Sequence, residues 1–260
     1  MGTFLFDSTV FGPVKSRRLG VSLGINLLPN NSKLCSFDCI YCECGWNPDP
    51  RKVKAVLPTR NEVANALRLK LTAMGNQHEL PDVITFAGNG EPTMHPSFPE
   101  IIDDTLALRD ELAPEARIAV LSNSTMLFKT VVVEALKKVD DNILKLDSAY
   151  PETIQIMNLP VGHFQLDRVV DQLKAFNGKL IIQTMFLRGS FSNRSFDNTT
   201  DKEVKAWMKL LRKIKPERVM IYTIARDTPL DTLEKISVEE LNAIAERVKL
   251  KLGITVEVSG

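Results

Sequence analysis

The segment KLCSFDCIYCECGW, residues 33–46, holds all four cysteines of the 260-residue chain: Cys35, Cys39, Cys42 and Cys44. Where thiols stay reduced, cysteines set this close more often hold a metal than a disulfide. Structural zinc usually takes two short Cys/His pairs from separate pieces of backbone. Four ligands from one ten-residue loop would be cramped, and His78, His95 and His163 lie far off with no pairing motif. An iron–sulfur cluster fits better, because closely spaced thiolates on one loop can reach separate irons. Three cysteines would leave one iron of four without a protein ligand, and an open position is what a metal needs to engage a substrate directly. Cys44 is then spare, as a hydrogen donor, a transient ligand or a space-filler.

A second chemical stretch is FAGNGEP, residues 86–92. Gly88 and Gly90 let the backbone approach a ligand closely, and Glu91 offers an acceptor to an ammonium. The plain alternative is a Gly-rich turn ended by Pro92. Further polar residues stand in LSNST, KLDSA and YTIAR, where each fits an ordinary polar strand end as well.

Elements that would position these residues follow a regular rhythm. Strands are expected at LGVSLGINLL (19–28), DVITFA (82–87), RIAVLS (117–122), NILKLD (142–147), KLIIQTMFL (179–187) and RVMIYTI (218–224). Helices are expected between them: one capped by Thr59 and Glu62, others near 98–112, 129–138 and 164–176, one capped by Thr200 and Glu203, and a last one by Ser237 and Glu240. GITVEVSG adds a closing strand. Six βα units argue for a parallel sheet with crossover helices, and short uniform connections favour an α/β partial (β/α)6 barrel over a doubly wound open sheet. No linker divides the chain, so residues 1–260 read as one domain with its core at about 12–226 and a C-terminal helix and strand at 237–258. In such barrels ligands sit at the carboxyl ends of the strands, where the cysteine loop and FAGNGEP both fall. The polar stretch RGSFSNRSFDNTT (188–200) reads as a long loop and a candidate substrate lid, with YPETIQIMNLPVGHF after the fourth strand as a second candidate.

Composition excludes little else. Lys plus Arg is 33 and Asp plus Glu is 32, so there is no bulk signal for nucleic acid or acidic membranes. Lys15, Arg17 and Arg18 form a local basic cluster, either a solvated surface turn or an RNA site. No apolar run approaches the roughly 18 residues of a membrane span. MGTFLFDSTVFG lacks a basic n-region and cleavage site, and Phe6 spoils a myristoylation pattern. The expectation is a soluble cytoplasmic protein with no membrane partner.

CSFDCIYC resembles the CxxxCxΦC signature of the radical S-adenosylmethionine enzymes, with Tyr41 as the aromatic, and GNGEP resembles their GGE motif. That resemblance implies a [4Fe–4S] cluster on Cys35, Cys39 and Cys42, with S-adenosyl-L-methionine chelated at the free iron. One electron then breaks the sulfonium bond, and a 5′-deoxyadenosyl radical removes hydrogen from a substrate. It further implies cofactor contacts at Tyr41, at Gly88, Asn89, Gly90 and Glu91, at Ser122 and Asn123, at Asp147, and at Tyr222 and Ile224. An electron donor such as flavodoxin or ferredoxin would be a partner. Together with GPVKSRRLGVSLGINLLP and YTIARDTP, these motifs are similar to the group related to the wyosine-forming tRNA enzyme. That enzyme holds a second cluster on additional N-terminal cysteines, whereas no cysteine precedes Cys35 here. The substrate, whether small molecule, peptide or RNA, is left open. A tRNA-modifying enzyme, a glycyl-radical activase and a non-catalytic iron–sulfur protein are the alternatives.

Overall fold

The computed structural model describes residues 4–16, 19–226 and 228–260. Arg17 and Arg18 lie outside the described residues. An eight-stranded sheet runs in the spatial order β1 (Val10–Ser16), β2 (Gly20–Ile25), β3 (Val83–Phe86), β4 (Arg117–Ser122), β5 (Asp141–Lys145), β6 (Ile181–Met185), β9 (Arg218–Tyr222) and β11 (Thr255–Ser259). All neighbours are parallel except β1, which pairs antiparallel with β2. Chain order and spatial order agree along the whole sheet. A doubly wound sheet reverses its order at a switch point, so this is the partial barrel. The edge strand β1 was not foreseen: Gly12 and Pro13 lie inside it, and its bulge between Phe11 and Val14 interrupts the alternation.

The helices are α1 (Arg60–Asn76), α2 (Phe98–Leu112), α3 (Thr130–Leu136), α4 (Pro151–Met157), α5 (Leu166–Lys174), α6 (Asp201–Ile214) and α7 (Val238–Leu252). Apolar residues at helical spacing bury one face of each: Val63, Leu67, Leu71 and Met74 in α1, and Val204, Trp207, Met208 and Leu211 in α6. These meet Ile84, Phe86, Ile118, Val120, Ile182 and Ile221 of the strands in one core. Burying each such side chain stabilises the fold by about 1.5–3 kcal/mol. The alternate strand residues Val83, Ala119, Ile143, Ile181 and Met220 form a separate apolar layer on the opposite face. Among the described residues, no helix is long and apolar enough to cross a membrane.

Two expected loops are ordered elements instead. Residues 188–200, read as a long loop, form a hairpin of β7 (Leu187–Phe191) and β8 (Arg194–Asp197), joined antiparallel by β10 (Leu233–Lys235) in a second sheet. Ser192 and Asn193 both take positive φ, the geometry of a tight two-residue hairpin turn. Part of the second lid candidate is the helix α4, started by Pro151 at its first position.

Candidate active site at the carboxyl mouth of the sheet

The cysteine loop follows β2 and is fastened to the end of β3. Leu34 N–H donates to Asn89 O at 2.8 Å, and Glu91 N–H donates to Leu34 O at 3.1 Å. A side chain at Gly90 would strike the Leu34 carbonyl, and one at Gly88 would strike the Asn26 amide. The glycines of GNGEP therefore let two pieces of this chain meet, a use of close approach that the sequence reading gave to a ligand. The far side of the loop rests on the end of α4. Asp38 N–H donates to Asn158 O, Ile40 N–H to Met157 O, and Val161 N–H to Ser36 O. Asn47 closes the loop from within, accepting from Cys35 N–H at 2.9 Å and donating to the Cys35 and Phe37 carbonyls.

Each candidate residue has a definite place. Glu91, 2% exposed, accepts from Ser122 Oγ at 2.8 Å, from Asn123 N–H at 2.6 Å, and from both the backbone N–H and hydroxyl of Thr93. Burial pushes its carboxyl up, and these donors oppose the shift. Glu91 thus already joins the ends of β3 and β4. Asn89 is fully buried: its side chain donates to the Phe6 and Pro29 carbonyls and accepts from Phe6 N–H. Asn123 Nδ2 reaches Ser36 Oγ at 2.9 Å and Cys35 Sγ at 3.4 Å.

Tyr41 and Asp147 belong to one buried network. The Tyr41 hydroxyl donates to Asp147 Oδ2. Asn158 Nδ2 donates to the same oxygen at 2.8 Å, and Lys145 Nζ pairs with it at 3.3 Å. Met185 N–H satisfies Asp147 Oδ1 at 2.9 Å. Burial pushes the Tyr41 hydroxyl well up, with the Asp147 charge adding to it. Tyr222 and Ile224, at the end of β9, pack with Phe37, Ile40, Tyr41, Met157, Met185 and Leu187 into an apolar cluster that includes Cys39. All of these candidates therefore gather at the strands' carboxyl ends. Lys15, on the edge strand β1, is exposed.

The thiols occupy unlike surroundings. Burial pushes Cys35 and Cys39 up. The Cys44 thiol, hydrogen-bonded to Cys42, lowers Cys42 to about 6, with Lys33 helping. Cys44 Sγ also lies 3.5 Å from Gly88 O. Cys35 Sγ accepts from Phe37 N–H, and Cys39 Sγ from Asn158 Nδ2, each at 3.4 Å. Among the described residues, no three Cys, His, Asp or Glu side chains converge as a single ion requires. Three thiols on one loop, each beside an N–H donor or a cation, fit a cluster whose irons are ligated one by one.

A family model described as the radical SAM superfamily matches residues 32–199, from the cysteine loop through the hairpin. The chain belongs to this superfamily. It is 32% identical over 225 residues to a UPF0026 protein of Synechocystis sp., covering 85% of this chain and 77% of that one. It is also 28% identical over 253 residues to a protein of Brachyspira hyodysenteriae named GTPase Obg. There it covers 96% of this chain but 35% of that one, so it spans about a third of that relative. Among solved structures, a radical SAM methyltransferase from Sphaerobacter thermophilus aligns with a TM-score of 0.66 at 14% identity, over 92% of this chain and 65% of that one. Streptococcus suis SuiB bound to S-adenosylmethionine aligns with a TM-score of 0.62 at 16% identity, over 88% of this chain and 49% of that one. Both likenesses concern the fold.

Several site residues escaped the sequence reading. Lys33, Lys145, Asn158 and Asn198 all stand within the mouth, Asn198 donating to the carbonyls of Asp147 and Met185. A signal existed for Lys145 alone: a lysine inside the apolar strand NILKLD needs a buried partner.

Proposed function

We propose that this chain is a radical S-adenosylmethionine enzyme that takes hydrogen from a substrate still to be identified. The carrying observation is a three-thiol loop held at the carboxyl mouth of a parallel partial barrel, in a chain of the radical SAM superfamily. Cys35, Cys39 and Cys42 would hold a [4Fe–4S] cluster. Bound there, the cluster would supply the one-electron reduction that breaks the sulfonium C–S bond of S-adenosyl-L-methionine, with methionine as the leaving group.

The protein's own residues contribute orientation and exclusion. The β3 end, through Leu34 and Glu91, fixes the height of the cysteine loop above the sheet. The network of Tyr41, Asp147, Lys145 and Asn158 holds the other side of the loop rigid without leaving a buried charge unpaired. The apolar cluster around Met185, Leu187, Tyr222 and Ile224 would keep water from the reacting centre. Phe191 of the hairpin stands 6.1 Å from Trp46 of the cysteine loop, ring centre to ring centre, which makes the hairpin our candidate lid. An electron carrier such as flavodoxin or ferredoxin would deliver the electron.

The test is anaerobic reconstitution followed by dithionite and S-adenosyl-L-methionine. 5′-Deoxyadenosine and methionine should form slowly without substrate. Iron-loaded protein that forms neither would sink the enzyme reading and favour a non-catalytic iron–sulfur protein.

A further inference from the structure

A buried ammonium lies beneath the cysteine loop and takes no part in the function as described so far. Lys33 stands two residues before Cys35 and is 3% exposed. Its Nζ donates to Asp38 Oδ1 at 3.0 Å and to Gly45 O at 2.8 Å. Asp38 adjoins Cys39 in the chain, and Gly45 N–H donates to Cys42 O at 2.9 Å. The ammonium is thus tied to both ends of the span that carries Cys39 and Cys42. It lies within electrostatic reach of the Cys42, Cys39 and Cys35 sulfurs.

The pair is electrically lopsided. The Lys33 side chain is 1% exposed, whereas that of Asp38 is 24% exposed. Water screens the carboxylate more than the ammonium, so the pair's own contribution to the field at the loop is positive and is only partly offset by Asp38. Holding the loop closed would not by itself require a charge. A neutral donor could serve Gly45 O without the desolvation cost of a buried ion.

We propose that Lys33 is an electrostatic positioning residue whose fixed positive charge raises the reduction potential of the group held by Cys35, Cys39 and Cys42. The inference rests on the cluster reading above. The step concerned is the arrival of one electron from an external reductant. No bond forms or breaks, and the ammonium keeps its proton. The added negative charge is stabilised by the nearby cation, and net charge around a cluster is one of the quantities that set its potential. The N–H donors at Cys35 and Cys39 act in the same direction, and substitution of Lys33 removes none of them.

The experiment uses the full chain, reconstituted anaerobically, as wild type, Lys33→Met, Lys33→Arg and Asp38→Asn. Iron and sulfide are counted first. A dithionite-poised redox titration, without S-adenosyl-L-methionine, then follows the reduced cluster by electron paramagnetic resonance. At a fixed potential Lys33→Met should lower the ratio of reduced to oxidised cluster by about tenfold, which is about 59 mV for a one-electron couple. Lys33→Arg should stay within a factor of about two of wild type, because the charge is kept. Asp38→Asn keeps the acceptor oxygen and removes the opposing charge, so its ratio should rise. An iron-loaded Lys33→Met with the wild-type ratio overturns the inference. If Lys33→Met holds no iron, Asp38→Asn decides: a rise supports the inference, and an unchanged ratio overturns it. A wild type that takes up no iron overturns the cluster reading, and the inference with it.

Discussion

The two ends of β5 carry opposite kinds of polar chemistry. At the amino end Asp141, 2% exposed, binds Arg117 at 2.7 Å and Arg218 at 2.8 Å through one oxygen, and Arg218 goes on to Glu257 at 2.9 Å. Every member of that clasp belongs to a strand, and Arg117 is half exposed. At the carboxyl end, Lys145 and Asp147 bind side chains from loops: Tyr41 of the cysteine loop and Asn158 after α4. Asp147 spends both oxygens, on Tyr41, Asn158, Lys145 and the Met185 amide. The first arrangement only joins β4, β5, β9 and β11. The second fixes loops relative to the sheet, and one of those loops bears the thiols. Charge placed between strands makes a scaffold, while charge placed between strand end and loop makes a site.

The largest expected effect tests whether the thiols are what the carboxyl end is built to hold. Alanine at Cys35, Cys39 or Cys42 should take reconstituted iron from about four per chain to almost none. Cys44→Ala should retain it, and so should Arg117→Ala at the other end. Iron and sulfide analysis with the visible absorbance decides. Iron lost fully from Cys44→Ala, or kept by any of the other three cysteine variants, would remove the three-ligand assignment.

A matched pair of substitutions sharpens the comparison. Asp147→Asn leaves the Lys145 ammonium without its buried counter-charge, and breaking such a pair costs about 3–5 kcal/mol. Asp141→Asn releases two arginines that water can reach in part, so a loss of about 1–3 kcal/mol is expected. Denaturant unfolding measures both. The kinds of damage should differ as well: Asp147→Asn should also lower iron retention by loosening Tyr41 and the cysteine loop, whereas Asp141→Asn should leave iron unchanged. Equal iron content in the two variants would mean that the network does not hold the loop.

The contrast also explains what could be read from the sequence. Periodicity located the parallel strands and their helices, because burial on one face is a local pattern: Val63, Leu67, Leu71 and Met74 all point inward. Three N-terminal capping patterns were equally visible, yet they end differently. At α1 the box closes, with Glu62 returning to the Thr59 backbone at 2.7 Å. At α6 Thr200 caps, but Glu203 turns to Ser148 and Thr153; at α7 Ser237 caps, but Glu240 turns to Arg188. The local half of each signal is fixed by neighbours in sequence. The other half is taken by partners 50 to 55 residues away. The thiols and GNGEP were legible for a similar reason, since each carries its chemistry in a few adjacent residues. Asn158 and Asn198 act across the fold and left no local mark. The hairpin was missed because Ser192-Asn193 is a weaker turn signal than Asn-Gly.

The smallest expected effect concerns how the hairpin is held at the carboxyl end. Arg188 in β7 donates to Thr199 Oγ1 at 2.9 Å and pairs with Glu240 in the first turn of α7. Both side chains of that ion pair are about a third exposed, at 32% and 40%. Water and salt therefore screen it, and an exposed pair contributes ~1 kcal/mol or less. Glu240→Gln should leave global unfolding close to wild type. It should speed amide hydrogen exchange in β7 and β8 by about two- to fivefold, the range that such an energy allows. High salt should erase the difference between variant and wild type. The amides of β4 and β5 near Asp141, held by backbone pairing in the centre of the sheet, should exchange alike in both proteins. If the hairpin covers the mouth, iron-loaded Glu240→Gln should also form more 5′-deoxyadenosine in the absence of substrate, because the opened site admits stray hydrogen donors. Unchanged exchange in the hairpin would show that β10 and the buried Phe196 hold it without the ion pair, and would place that pair with the scaffold charges at the amino end.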